Sequence, residues 1–324
     1  MVRPIPYLSL ASCWFAHFTL VKVRVLDVVF HPAFMAITAL CLAMIWMLRD
    51  EKDKTRVGLL FALLLNFFYG TLCTLFMRGE GSAFPWKYDH VLLRLDLSLG
   101  VQATVIAQAL DRIPHNLLGT VYDAMVPMMI AWYWVARRRC NGSIVIAYVA
   151  ELVAGPFLYT IVPACGPIYA FGKEWLHPPL VAPAAVRLTG MPNAFPSLHF
   201  GTALVFVMFA PGRIWKAVAL LFLAATGLAT LSTGEHYVID LIPGLAFGMF
   251  AASVGTRNYR RAACFFALSL AWSLMVRFGY MVLLAHPFLL RFFAVLTLVA
   301  VAVALVRQRI TAPALASTPE ALTA

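Results

Sequence analysis

The sequence predicts an all-α protein, a polytopic membrane bundle of about nine transmembrane helices. Three observations lead there. The first is composition: of 324 residues, 62% are apolar and 12% charged, whereas a soluble domain carries about 25% charged residues and about half apolar ones. The second is run length. Nine apolar stretches, at about 31–48, 57–77, 116–136, 142–165, 198–212, 214–234, 236–255, 262–284 and 286–306, are bounded by charge or by Pro and Gly. A spanning helix needs about 20 mainly apolar residues, and an isolated strand cannot satisfy its backbone in lipid. The third is the placement of charge. The formal net charge is +11, but Lys and Arg sit between the apolar runs, as topology requires, and not along one face. An ordinary cytosolic enzyme, a disordered chain and a nucleic-acid module are excluded.

From the N-terminus, residues 1–56 form one or more membrane segments. Within them 7–30 is apolar but interrupted by Lys22, Arg24 and Asp27; it is either a tenth span or an interfacial helix. The start of the chain lacks a small-residue cleavage site, so no removable signal peptide is expected. Arg49, Lys52, Lys54 and Arg56 follow the first run. The second leads to a long connection, 78–115, in which Tyr88–Ile113 mixes Leu with Arg94, Asp96, Asp111 and Arg112. An amphipathic helix on the outer surface fits that mixture. Arg137, Arg138 and Arg139 follow the third run, Arg213 and Lys216 the fifth, Arg257, Arg260 and Arg261 the seventh, Arg307 and Arg309 the ninth. Every second connection is thus short and basic, which places it in the cytoplasm. The connections at 78–115, 166–197, 233–235 and near His286 face outward. A tail at 310–324, rich in Ala, Thr and Pro, is expected to be disordered. Six cysteines at 13, 41, 73, 140, 165 and 264 form no CxxC pair, so neither zinc nor redox chemistry is supported.

Three clusters carry chemistry, and the charge rule puts all of them on the outer side. The first is Tyr159-Thr-Ile-Val-Pro163-Ala-Cys-Gly166-Pro167-Ile-Tyr169, the second Phe195-Pro196-Ser197-Leu198-His199, the third Thr233-Gly234-Glu235-His236-Tyr237-Val238-Ile239-Asp240. His236 and Asp240, four apart, share one face of a helix. A carboxylate there can take the Nδ1 proton and leave Nε2 as a directed lone pair, which a nucleophile or base needs. Pro196 and Ser197 read as a helix start with Ser as the cap, and a helix N-terminus suits phosphate. His199, in that first turn, is placed to give a proton to a leaving oxygen.

Together these clusters resemble the type 2 phosphatidic acid phosphatase superfamily, most closely its branch of inositol phosphorylceramide synthases and bacterial relatives. That branch has Pro-Ser-x-His, as at Pro196, Ser197, Leu198 and His199, and His-Tyr-x-x-Asp followed by Gly, as at His236, Tyr237, Asp240 and Gly244. Its first motif is similar to the run of Pro163, Gly166, Pro167 and Tyr169, and Asp89–Gly100 is similar to its outer segment. The resemblance implies a six-helix phosphatase-like core within a catalytic membrane domain at 57–255, with further transmembrane helices at 256–309. It implies that His236 attacks phosphorus and forms a phospho-histidine, that Asp240 orients it, and that His199 protonates the leaving group. Ser197 and nearby amides would hold phosphate oxygens. No metal or other cofactor is implied. The substrate would be a lipid phosphate or phosphodiester, and the enzyme a hydrolase or a transferase according to whether water or an alcohol accepts the phosphoryl group.

Two departures stand out. The Lys and Arg-Pro spacing of the typical first motif is missing, and Thr230 stands where the typical third motif has Arg. Phosphoryl transfer relies on positioned positive charge, so Arg187 is the first candidate to replace it and Lys173 the second. Ionisable groups within apolar runs are costly and hence of interest. Asp123, like Tyr169, is a candidate for the substrate cavity; Glu151 and Arg277 are expected to neutralise each other. The remaining histidines read as incidental. Membrane lipids are expected around the protein, nucleic acid is not, and protein partners stay open. The competing readings are a polytopic transporter relaying protons through Asp123 and Glu151, and a catalytically silent relative.

Overall fold

Twelve helices and one two-stranded ribbon make up the described chain, which in this computed structural model comprises residues 84–110, 115–140 and 143–311. The expectations for 1–56, for the run at 57–77 and for the chain beyond Thr311 lie outside the described residues. In order come β1 (Trp86–Lys87), α1 (Asp89–Leu99), α2 (Ala103–Leu110), α3 (His115–Asp123), α4 (Met125–Cys140), α5 (Ser143–Ile161) and α6 (Pro167–Phe171). A 3-10 turn (Gly172–Glu174) and β2 (Val186–Arg187) follow, then α7 (Leu198–Phe209), α8 (Arg213–Ser232), α9 (Val238–Gly255), α10 (Tyr259–Phe278), α11 (Tyr280–Ala285) and α12 (Pro287–Thr311). The strands pair antiparallel, Trp86 opposite Arg187 and Lys87 opposite Val186.

Five of these helices, α5, α8, α9, α10 and α12, are long and apolar enough to cross a membrane, or six if α1 and α2 count as one bent span. They realise five of the nine expected runs. The run at 116–136 is instead divided between α3 and α4, and the run at 198–212 is the 12-residue α7, about 18 Å long. Helix α7 needs no greater length because it is enclosed: every residue from Gly201 to Phe209 is buried.

Helix α9 is the axis of the bundle, packed against α1, α5, α7, α10 and α12. Its approach to α7 is backbone on backbone. A Cβ at Gly248 would stand 2.4 Å from the Gly201 carbonyl oxygen, and one at Gly244 would stand 2.6 Å from that of Ser197. Small residues permit such contact between apolar helices. The main core lies on the side of the bundle away from the motifs, with Trp132, Tyr148 and Phe206 fully buried. There the Trp132 indole N–H donates to the Phe206 carbonyl at 2.8 Å, which ties α4 to α7.

Two expectations are corrected. The amphipathic surface helix at 88–113 is two helices meeting at 78°. Helix α1 is not surface-lying: Asp89, Val91, Leu92, Leu93, Leu95 and Asp96 are all buried, and its two aspartates hold backbone amides of other segments. Glu151 and Arg277 do not pair. Glu151 lies in the middle of α5 and accepts from Thr202 Oγ1 at 2.8 Å, whereas Arg277, in the last turn of α10, stacks over Tyr88 at 4.9 Å.

Candidate active site

Helix α7 starts at Ser197, a fully buried cap whose Oγ accepts from the Phe200 amide at 3.4 Å. The first amides of a helix have no intrahelical partner, and those of Leu198 and His199 find none among the described residues. Helix α9 starts just after Tyr237, whose amide donates to Asp240 Oδ2 at 2.9 Å. His236 therefore precedes the helix. The sequence reading put it on one helical face with Asp240; instead Asp240, in the first turn, reaches back over the helix start to meet it.

That meeting fixes the imidazole. His236 Nδ1 lies 2.9 Å from the Ala194 carbonyl oxygen and 3.3 Å from Asp240 Oδ2. A carbonyl only accepts, so Nδ1 carries the proton and Nε2 has the lone pair. Nε2 faces Ser197 Oγ at 3.3 Å, at the N-terminus of α7. The His199 ring stands 6.3 Å from the His236 ring, centroid to centroid, at 61°. Its other neighbour is Tyr122, stacked at 4.2 Å and 19°.

The first motif closes onto the third. Gly166 has φ +92, and a Cβ there would stand 2.3 Å from the Glu235 carbonyl oxygen, so this turn admits only glycine. The Ile168 amide donates to the Gly234 carbonyl at 2.9 Å, and the Tyr169 hydroxyl donates to Glu235 Oε1 at 2.9 Å. The Ser197 amide in turn donates to the Asp240 carbonyl at 3.1 Å.

Two aspartates of α1 lock this arrangement. Asp89 accepts from the Cys165 and Gly166 amides and from the Tyr237 hydroxyl, the last at 3.0 Å. Asp96 accepts from the Val238 and Ile239 amides. Seven residues apart, they lie two turns along one helical face. That spacing was the available signal; their partners were not readable.

The structure thus brings together His236, His199, Asp240 and Ser197, with Tyr169 joined through Glu235. Asp123 is exposed at the end of α3, next to Tyr122 and within electrostatic reach of Glu235. Arg187, in β2, and Lys173, in the 3-10 turn, are exposed. Among the described residues neither side chain has a hydrogen bond or ion pair to a motif residue. Thr230 supplies no charge but holds the turn: its carbonyl accepts from the Glu235 and His236 amides at 3.2 and 3.3 Å.

Electrostatics favour a basic imidazole. Burial alone would lower the His236 pKa, but the charge of Asp240 and its hydrogen bond, then Glu235 and the Ala194 carbonyl, raise it above the ordinary value. Burial pushes Glu235 upward, and burial followed by the Glu235 charge pushes Tyr169 up to about 12.

A family model described as the PAP2 superfamily matches residues 90–254, which takes in all three motif loops. The chain belongs to the PAP2 superfamily. Comparisons with curated proteins and with solved structures give no match. Membership supports a phosphatase-type enzyme; in this PAP2 protein His199 lies in the first turn of α7 and His236 just before α9, with the tautomer of His236 fixed.

Proposed function

We propose that this protein is an integral-membrane enzyme that hydrolyses or transfers the phosphate-containing head group of a lipid at the extracytoplasmic face, through a phospho-histidine on His236. The observation that carries the reading is the fixed tautomer of His236, whose Nε2 lone pair is aimed at the cap of α7 beside His199. In the first step Nε2 attacks phosphorus, the bond from phosphorus to the leaving oxygen breaks, and His199 gives that oxygen its proton. In the second step water or an alcohol attacks phosphorus, the bond from His236 Nε2 to phosphorus breaks, and the proton of the attacking oxygen passes to His199. Asp240 and the Ala194 carbonyl hold the ring as it becomes positive. The Leu198 and His199 amides, with Ser197 Oγ, receive the phosphate oxygens. Arg187, and after it Lys173, would supply positive charge from the outer loop.

The placement in the inositol phosphorylceramide synthase-like branch rests on Pro196-Ser197-Leu198-His199 and on His236-Tyr237-Val238-Ile239-Asp240. The extracytoplasmic orientation rests on Arg213 and Arg257, which lie at the ends of α8 and α9 opposite to the motifs, where the positive-inside rule puts the cytoplasm. The reading uses no metal.

The test incubates the purified protein with a panel of lipid phosphates and phosphodiesters, with and without excess chelator, beside His236→Ala and His199→Ala. Turnover by the parent in chelator, trapped phospho-histidine, and loss of both in His236→Ala are expected. Equal turnover by all three proteins would overturn the proposal.

A further inference from the structure

We propose that Tyr122 is a positioning residue for His199, its ring being the surface that aims the proton-donating imidazole at the leaving oxygen. The inference deepens the reading above and rests on it. The two histidines are held in different ways. Two acceptors grip His236. The His199 ring has no hydrogen-bond partner among the described residues; its contacts are the stack with Tyr122 and the edge of His236. A ring without hydrogen bonds is oriented by packing alone, and at 4.2 Å and 19° Tyr122 covers one whole face. Burial, and then the charge of His236, push the His199 pKa down to about 3, so the proton it gives requires the negative charge of a bound phosphate beside it. Tyr122 comes from α3, which packs against α8, so the aim of His199 depends on an element outside the three motifs.

The step served is the first one. As the bond from His236 Nε2 to phosphorus forms and the bond to the leaving oxygen breaks, the proton on His199 passes to that oxygen. An alkoxide leaving group needs this proton, whereas a nitrophenolate departs as a stable anion without it. In this first step the aim of His199 therefore matters for a lipid alkyl ester and not for a nitrophenyl ester of the same phosphate class; the second step, in which His199 takes a proton back, is common to both.

The experiment measures the rate of leaving-group release in the first turnover, and KM, for the fastest lipid substrate of the panel and for the matching nitrophenyl ester, in the parent, Tyr122→Leu, Tyr122→Phe and His199→Ala. Tyr122→Leu is expected to lower this first-turnover rate for the lipid by about 10- to 100-fold, within the range of general acid catalysis. Its KM stays within about threefold, and the first-turnover rate for the nitrophenyl ester stays within about threefold of the parent, a ratio too small to report a lost proton donor. Tyr122→Phe, which keeps the ring, is expected to match the parent on both. Equal slowing of both esters by Tyr122→Leu, an unchanged first-turnover rate for the lipid in Tyr122→Leu, or a Tyr122→Phe as slow as Tyr122→Leu would each overturn the proposal. His199→Ala separates the two levels: if it slows both esters alike, the acid role of His199 is what fails, and the assignment of Tyr122 falls with it.

Discussion

Asp96 accepts the backbone amides of Val238 and Ile239 at 2.9 and 2.8 Å, across sequence separations of 142 and 143 residues. The carboxylate so caps the helix whose first turn carries Asp240 and whose approach carries His236. A negative charge at a helix N-terminus is favourable, and two amides that a buried helix start would otherwise leave unpaired are satisfied.

Asp96→Ala is expected to destabilise the protein by about 1–3 kcal/mol for each buried amide left unpaired. It is also expected to slow turnover, since the third motif loses its anchor. Thermal unfolding in detergent, measured beside kcat, checks both. Unchanged stability would mean that water reaches these amides.

Asp240→Asn should be far milder than His236→Ala. The Ala194 carbonyl is the nearer acceptor of Nδ1 and holds the tautomer without Asp240. A loss of about 10- to 100-fold is expected, the cost of roughly 1.4–2.8 kcal/mol of lost charge stabilisation. His236→Ala should leave no phospho-enzyme. An Asp240→Asn variant that folds normally yet is equally dead would assign Asp240 a larger part than steadying the ring.

The acidic limb of the pH profile follows His236, which must be unprotonated at Nε2 to attack. Its pKa is raised, in part by the Glu235 charge. Glu235→Gln removes that charge, lowers the His236 pKa and moves the acidic limb to lower pH. A shift to higher pH, or none, would show that another group governs that limb.

Gly244→Ala is expected to cost both stability and turnover. Its Cβ would stand 2.6 Å from the Ser197 carbonyl oxygen, and overpacking of this kind typically costs about 1–3 kcal/mol. Gly119→Ala in α3 is the control: nothing lies within 4 Å of its Cβ, and alanine favours a helix interior by about 0.5–1 kcal/mol. Melting temperatures of the two variants should move in opposite directions.

The helical class, the longer spans and the grouping of the motifs were legible in the sequence because each rests on neighbours along the chain. Run length decides whether a helix spans, Pro196-Ser197 marks where α7 begins, and alternating basic connections bring the motifs to one end. The buried pairing expected of Glu151 and Arg277 failed because composition shows that a charge is costly but not at what depth its helix places it. The surface helix at 88–113 failed for a related reason: Arg94, Asp96 and their neighbours read as a solvent face, whereas Asp89 and Asp96 turn inward to backbone amides.

By itself the sequence determined an apolar, helical protein of the PAP2 type and singled out His199, His236, Asp240 and Ser197 as candidate site residues. Only the tertiary structure decided which acceptor holds His236, that Tyr122 faces His199, and that α1 clamps the first and third motifs. Capping, apolar run length and residue spacing are properties of a chain segment and its solvent. A hydrogen bond from Ile239 to Asp96, or a ring stacked from another helix, is set by how separate segments pack, and packing depends on the shapes of all of them at once.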